Sequence, residues 1–117
     1  MDKVGKAISK HNEEVLNAVI EKIRKNYGER FLLKEIATEY SYSSIYFNRM
    51  FKQCTGQTFN KFVQRVRCEN AMRLLLETDM PVGRICNDVG YSDSKQFFAI
   101  FKRYAQCSPN AYRKMHK

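Results

Sequence analysis

The fold follows from Tyr42-Ser43-Ser44-Ile45-Tyr46-Phe47-Asn48-Arg49-Met50-Phe51-Lys52. This stretch reads as an amphipathic helix entered through a small polar residue. Phe47, Met50 and Phe51 fall at i, i+3 and i+4 and share one apolar face. The opposite side carries Ser44, Ile45, Asn48, Arg49 and Lys52. An edge of Asn and Arg on a rigid rod is the chemistry that reads base edges in a major groove. Upstream, Leu33 to Tyr40 predicts a short helix, and Ser41-Tyr42-Ser43 a tight turn. Together they predict a helix-turn-helix.

The rest of the chain fits around that unit. Val15, Leu16, Val19, Ile20, Ile23 and Tyr27 keep helical period, which predicts a helix over 14–27 closed by Gly28 as a left-handed cap. Residues 1–13 are polar and weakly patterned, and read as a flexible segment. The first unit of the motif starts at Phe31, buries Leu33, Ile36 and Ala37, and ends at Gly56 after a helix capped by Ser43. Thr58 then caps a helix to Glu77, on which Phe59, Phe62, Val63, Val66, Asn70, Leu74 and Leu75 fall close to one face. Its nineteen residues reach about 28 Å, long enough to hold two lobes apart. Thr78-Asp79-Met80-Pro81 breaks it.

Beyond that break the chain repeats the first lobe. Ile36, Tyr42 and Ser43 recur as Ile85, Tyr91 and Ser92. Phe47, Phe51 and Lys52 recur as Phe97, Phe101 and Lys102, one residue further on. Gly90 replaces Ser41 where the turn needs a positive φ. Ser108-Pro109 starts a last helix, with Tyr112 inward and Arg113, Lys114 and Lys117 exposed. The fold class is therefore all-α: two helix-turn-helix subdomains, 14–57 and 79–117, joined by a linker helix over 58–78, with about seven helices in all.

Charge distribution agrees with this layout. The 117 residues carry a net +9. Residues 1–40 hold eight Lys/Arg against seven Asp/Glu, and 41–117 hold thirteen against five. Basic charge concentrates from the first turn onward, as a polyanion-binding surface requires. No run approaches ~18 apolar residues, which argues against a membrane span, and the start lacks an apolar signal region, from which a cytoplasmic location is expected. Cys54, Cys68, Cys86 and Cys107 show no C-x-x-C pairing and no nearby His, so they read as free thiols without a metal role. No Gly-rich phosphate loop, nucleophile–base pair or carboxylate pocket suggests an enzyme or a cofactor.

Several strings extend this reading. Phe51-Lys52 with Thr55-Gly56, Arg67 with Ala71 and Leu74-Leu75, Ile85, Val89-Gly90-Tyr91-Ser92, Phe97, Phe101-Lys102, and Pro109 with Tyr112-Arg113 stand in order over roughly Val15 to Lys114. This ordered set resembles the DNA-binding domain of AraC/XylS-family bacterial transcription regulators. The resemblance implies an activator that binds double-stranded promoter DNA in the nucleoid and contacts RNA polymerase. It also implies an upstream sensor or receiver domain, and the leading helix after a polar segment is similar to response-regulator output domains. Two recognition helices on one chain would enter successive major grooves, as two subunits of a dimer otherwise do. A lobe spacing shorter than the DNA pitch would bend the duplex.

Carried over position by position, Ser44, Ile45, Asn48 and Arg49 match the family's base-facing surface in the first lobe, and Ser94, Lys95 and Phe98 match it in the second. Phe98 either meets a thymine methyl or completes the core. Gln96, Thr58, Lys61 and Asn110 match phosphate contacts, with Ser43 beside them, and Lys52 is either structural or a phosphate contact. Arg67 reads as an internal residue pairing with Glu69, Glu77 or Asp88. Gln106 departs from the family pattern, standing where a Gly commonly ends the second recognition helix. The rival reading is a basic helical module for protein interaction or nonspecific nucleic-acid binding.

Overall fold

A computed structural model describes residues 9–117 and builds them from seven helices with no strand among the described residues. In chain order these are α1 Lys10–Lys25, α2 Leu33–Glu39, α3 Ser44–Thr55, α4 Phe59–Glu77, α5 Val82–Asp88, α6 Ser94–Ala105 and α7 Pro109–His116. None is long and apolar enough to cross a membrane. The expectation for residues 1–13 falls largely outside the described residues. Its end is corrected, because α1 already begins at Lys10. There the Ser9 hydroxyl accepts a hydrogen bond from the Asn12 N–H at 3.1 Å, and this cap starts the helix one turn before the apolar periodicity does.

The chain divides into two compact units. The first contains the residues up to Asn26 together with Phe31–Val63, and the second contains Tyr27–Arg30 with Gln64–Lys117. The boundary thus runs through α4, and the short 27–30 segment belongs with the second unit although its chain neighbours belong to the first.

In the first unit α1 buries Val15, Leu16, Val19 and Ile23, α2 buries Ile36 and Ala37, and α3 buries Phe47, Met50 and Phe51. Phe51 is the hub: Phe59 and Phe62 meet it edge-on, with centroids 5.6 and 5.2 Å away. Such pairs contribute about 0.5–1.5 kcal/mol each beyond simple burial.

In the second unit Cys68, Ala71, Leu75, Ile85, Val89, Tyr91, Phe97, Ile100 and Phe101 form the core. Tyr112 meets Phe101 edge-on at 5.7 Å, reproducing the Phe51–Phe62 contact fifty residues later. The internal repeat therefore extends past the two recognition helices into the start of the helix after each.

Both turns share one construction. Ser41 and Gly90 take positive φ, and the N–H of the next residue reaches back across the turn, Tyr42 to the Ala37 carbonyl at 2.8 Å and Tyr91 to the Cys86 carbonyl at 3.0 Å. This double closure of a helix end needs a left-handed residue. The two recognition helices end alike, at Gly56 (φ 84) and Gln106 (φ 67). A side chain in that region costs about 1 kcal/mol relative to glycine. Gln106→Gly is therefore expected to raise stability by about 0.5–1 kcal/mol, read as a higher urea midpoint at unchanged slope. A lower midpoint would mean that the Gln106 side chain, which donates to the Arg103 carbonyl at 3.2 Å, outweighs the strain.

Four expectations are corrected. Gly28 is no left-handed cap, since Asn26 closes α1 with its backbone N–H on the Lys22 carbonyl at 2.9 Å. Glycine is needed at 28 for space: a Cβ there would lie 2.5 Å from the Asp88 carbonyl oxygen. The buried positions of α4 do not follow one face, because Phe59, Phe62, Val63 and Val66 lie nearly half a turn around from Cys68, Ala71 and Leu75 at about 100° per residue.

Arg67 is internal, but among the described residues its partners are carbonyls and no carboxylate. Its Nε donates to the Tyr27 carbonyl at 2.7 Å and its guanidinium to the Glu29 carbonyl at 2.6 Å, while the group lies 5.1 Å over the Tyr91 ring. Arg113 is likewise anchored and half-buried, while Lys117 is exposed as expected but also hydrogen-bonded. Arg113 donates to the Leu75 and Thr78 carbonyls at 3.0 and 3.2 Å, and Lys117 to the Thr78 carbonyl at 2.8 Å with Asp79 beside it. These cations satisfy carbonyls at the C-terminal end of α4, where positive charge is favourable.

Candidate nucleic-acid interface

The first recognition helix, α3, is fixed at both ends and along one side. The Ser43 hydroxyl accepts from the Tyr46 N–H at 3.1 Å, and the Gly56 N–H closes on the Lys52 carbonyl at 2.8 Å. With Phe47, Met50 and Phe51 buried, the opposite side is held outward. Ile45 is 75% exposed, Arg49 and Lys52 are exposed, and Ser44 is half-buried. An apolar tip beside a guanidinium on one rigid rod can meet a thymine methyl and a guanine edge in adjacent steps.

Asn48 does not present a free amide. Its Oδ1 accepts from the Phe59 N–H at 2.8 Å, capping α4, while the Thr58 hydroxyl serves the Lys61 N–H at the longer 3.4 Å. Bidentate recognition of adenine, the base an amide side chain matches, needs both amide atoms, so the base-facing role expected of Asn48 loses its acceptor. Asn48→Ala is expected to destabilise the chain by about 1 kcal/mol, as loss of a capping side chain does. Denaturant unfolding would read this, and an unchanged midpoint would free Asn48 for base contact.

The second recognition helix, α6, is built with one difference. Its cap is Asp93, whose Oδ1 accepts from the Lys95 N–H at 2.9 Å, and not Ser92. Ser92 is therefore the extra residue of the second copy. Ser94, Lys95 and Gln96 are exposed, and Phe98 is 42% exposed, so Phe98 lies outside the core with its ring 6.0 Å from that of Phe97. This face offers Lys95 in its first turn, exposed Lys102 two turns on, and an apolar patch of Phe98 and Ala99 between them, with an acidic side chain at the helix start where a phosphate would otherwise be favoured.

The remaining phosphate candidates are spread over helix starts. Lys61 is exposed in the first turn of α4, with Thr58 half-buried before it. Asn110 is exposed in the first turn of α7, behind the Ser108 hydroxyl that accepts from the Ala111 N–H at 3.1 Å. Among the cysteines Cys54 is exposed and Cys68 and Cys86 are buried. Burial, with Glu69 adding to it, pushes the Cys68 thiol up to about 12, so it stays protonated and unreactive.

Comparison with known proteins places this geometry. The family described as "Helix-turn-helix domain" matches residues 36–115, spanning both turns. The C-terminal domain of AraT, a response regulator from Geobacillus stearothermophilus, superposes with a TM-score of 0.81 at 31% identity, covering 86% of this chain and 84% of that one. The chain belongs to the AraC-type helix-turn-helix family. Within that family it is 32% identical over 108 residues to the Bacillus subtilis transcriptional regulatory protein YesN, covering 89% of this chain but 29% of YesN. The chain thus spans less than a third of that relative's length. The DNA-binding domain of AdpA, solved in complex with a target DNA, matches with a TM-score of 0.76 at 26% identity over 92% of this chain and 93% of that one.

Proposed function

We propose that this AraC-type chain is the DNA-binding part of a bacterial transcription regulator, reading promoter DNA with α3 and α6 in successive major grooves. The observation that carries the reading is the outward edge of α3. Ile45 and Arg49 are exposed on a helix whose other side is locked by three buried residues, within a domain of the same fold as one solved on its target DNA. Arg49 and Ile45 carry base readout, and Ser44 lines the same edge. Asn48 supports the edge by capping α4. Ser94, Lys95 and Phe98 of α6 mainly position the protein, since a flexible lysine and an apolar ring at its leading positions supply few base-specific hydrogen bonds. Ser43, Lys52, Thr58, Lys61, Gln96 and Asn110 serve the phosphates.

Activation through RNA polymerase, under control of an upstream sensor or receiver domain, is the wider role that fits similarity to response-regulator output domains. The cytoplasmic nucleoid is the matching location. Selection from a random duplex library at about 0.1 M salt tests the reading. Two enriched motifs about ten base pairs apart, one helical turn, are expected. One motif alone would reduce α6 to phosphate contact, and binding without enrichment would leave a nonspecific module as the better account.

A further inference from the structure

We propose that Tyr46, oriented by Asn12, is a DNA-backbone contact that donates its hydroxyl hydrogen to one phosphate; this rests on the DNA-binding reading above. Nothing in the sequence marks Tyr46, which lies on neither the core stripe nor the Arg49 edge of α3. The structure places it on the flank of α3 facing α1, 44% exposed and beside Ile45. A helix lying in a groove meets the groove's phosphate walls along its flanks, while its leading edge meets the bases.

The hydrogen bonds around Tyr46 have a direction. The Tyr42 hydroxyl donates to the Asn12 Oδ1, and the Asn12 Nδ2 donates to the Tyr46 hydroxyl oxygen at 3.2 Å. A phenol carries one hydrogen, and here its oxygen is the accepting atom. The outer end of the chain Tyr42–Asn12–Tyr46 is thus an O–H aimed away from Asn12. Successive hydrogen bonds polarise one another, so that outer hydroxyl is a better donor than an isolated phenol.

Position is held as well as direction. The Tyr42 ring packs 5.6 Å from that of Tyr46 and 6.0 Å from that of buried Phe47, tying the network to the core. A phosphate oxygen accepts and never donates, so it matches this end. Asn12 is a positioning residue: it joins α1 to the turn and to the recognition helix through one side chain.

The test compares the full chain with Tyr46→Phe, which keeps the ring and removes the hydroxyl. Both are titrated with the selected duplex at about 0.1 M salt, and with a series carrying one uncharged methylphosphonate at each position in turn. Tyr46→Phe is expected to bind about tenfold more weakly, the lower end for a hydrogen bond to a charged acceptor. The salt slope should stay unchanged, because no cation is lost. One methylphosphonate position that weakens the parent should leave Tyr46→Phe unaffected. Asn12→Ala should weaken the parent and add nothing in the Tyr46→Phe background.

Identical methylphosphonate profiles with affinities within twofold would overturn the proposal. A loss confined to one base pair would overturn it too, making Tyr46 a base contact. Failure of the parent chain itself to retain any duplex would be a different result, sinking the DNA-binding reading and this contact together.

Discussion

Gly90→Ala is expected to destabilise the protein by about 3 kcal/mol, the largest single effect in the second unit. Two causes act together. The residue sits at φ 107, where an L side chain is strained by about 1–2 kcal/mol. An added Cβ would also stand 2.7 Å from the Arg67 Cζ. That carbon belongs to the guanidinium bound to the Tyr27 and Glu29 carbonyls, and hydrogen bonds from a charged donor contribute about 1.5–3 kcal/mol.

Relief of the clash displaces Arg67, so the two effects are coupled. The double variant Gly90→Ala with Arg67→Met should be less destabilised than the sum of the singles. Urea unfolding of the four proteins reads this. Additive losses would mean that Gly90 is needed for its backbone conformation alone. Ser41 holds φ 67 in the corresponding turn of the first unit, so the left-handed conformation by itself tolerates a side chain. The close approach of Arg67 is what sets Gly90 apart.

Arg49→Ala is expected to weaken binding to the selected duplex by about 1–3 kcal/mol, with the loss concentrated at one base pair. The residue is exposed between buried Phe47 and Met50, so its removal should change stability by less than about 0.5 kcal/mol. Binding therefore reports the contact and not the fold. Titration against single-base variants of the duplex separates the possibilities. Relaxed discrimination at one position assigns base readout, whereas an equal loss on every duplex assigns a phosphate.

Much of the fold is legible in the residues, and the reasons are local. Phe47, Met50 and Phe51 share a helical stripe, so their burial and the outward course of Arg49 come from periodicity. Ser43, Gly56, Ser108 and Pro109 carry capping chemistry that is written in residue type. Gly90 and Gln106 stand where the repeat demands a left-handed residue, and both adopt that conformation.

The features that escape the sequence depend on chain segments brought together by folding. Charge is visible in a sequence and points Arg67 toward a carboxylate, but its partners are backbone carbonyls, which every residue carries. Ser92 repeats Ser43 and so resembles the cap of α6, yet its neighbour Asp93 caps equally well and holds the position. Asn48 faces outward by periodicity, and only the approach of the Phe59 N–H diverts it to a capping role. Gly28 sits where a helix should end, but the close pass of the Asp88 carbonyl, sixty residues away, is what requires glycine. The Asn12–Tyr42–Tyr46 network escapes for the same reason, joining residues 30 and 34 positions apart.

Sequence-specific recognition of duplex DNA is decided by one ratio. The dissociation constant of the 117-residue chain would be measured at about 0.1 M salt on the selected duplex and on a scrambled duplex of equal length and composition. A preference of at least about 10³ for the selected duplex is predicted, as for specific binding elsewhere. A ratio near one, at any absolute affinity, would contradict the account and leave the basic surface as a general polyanion binder.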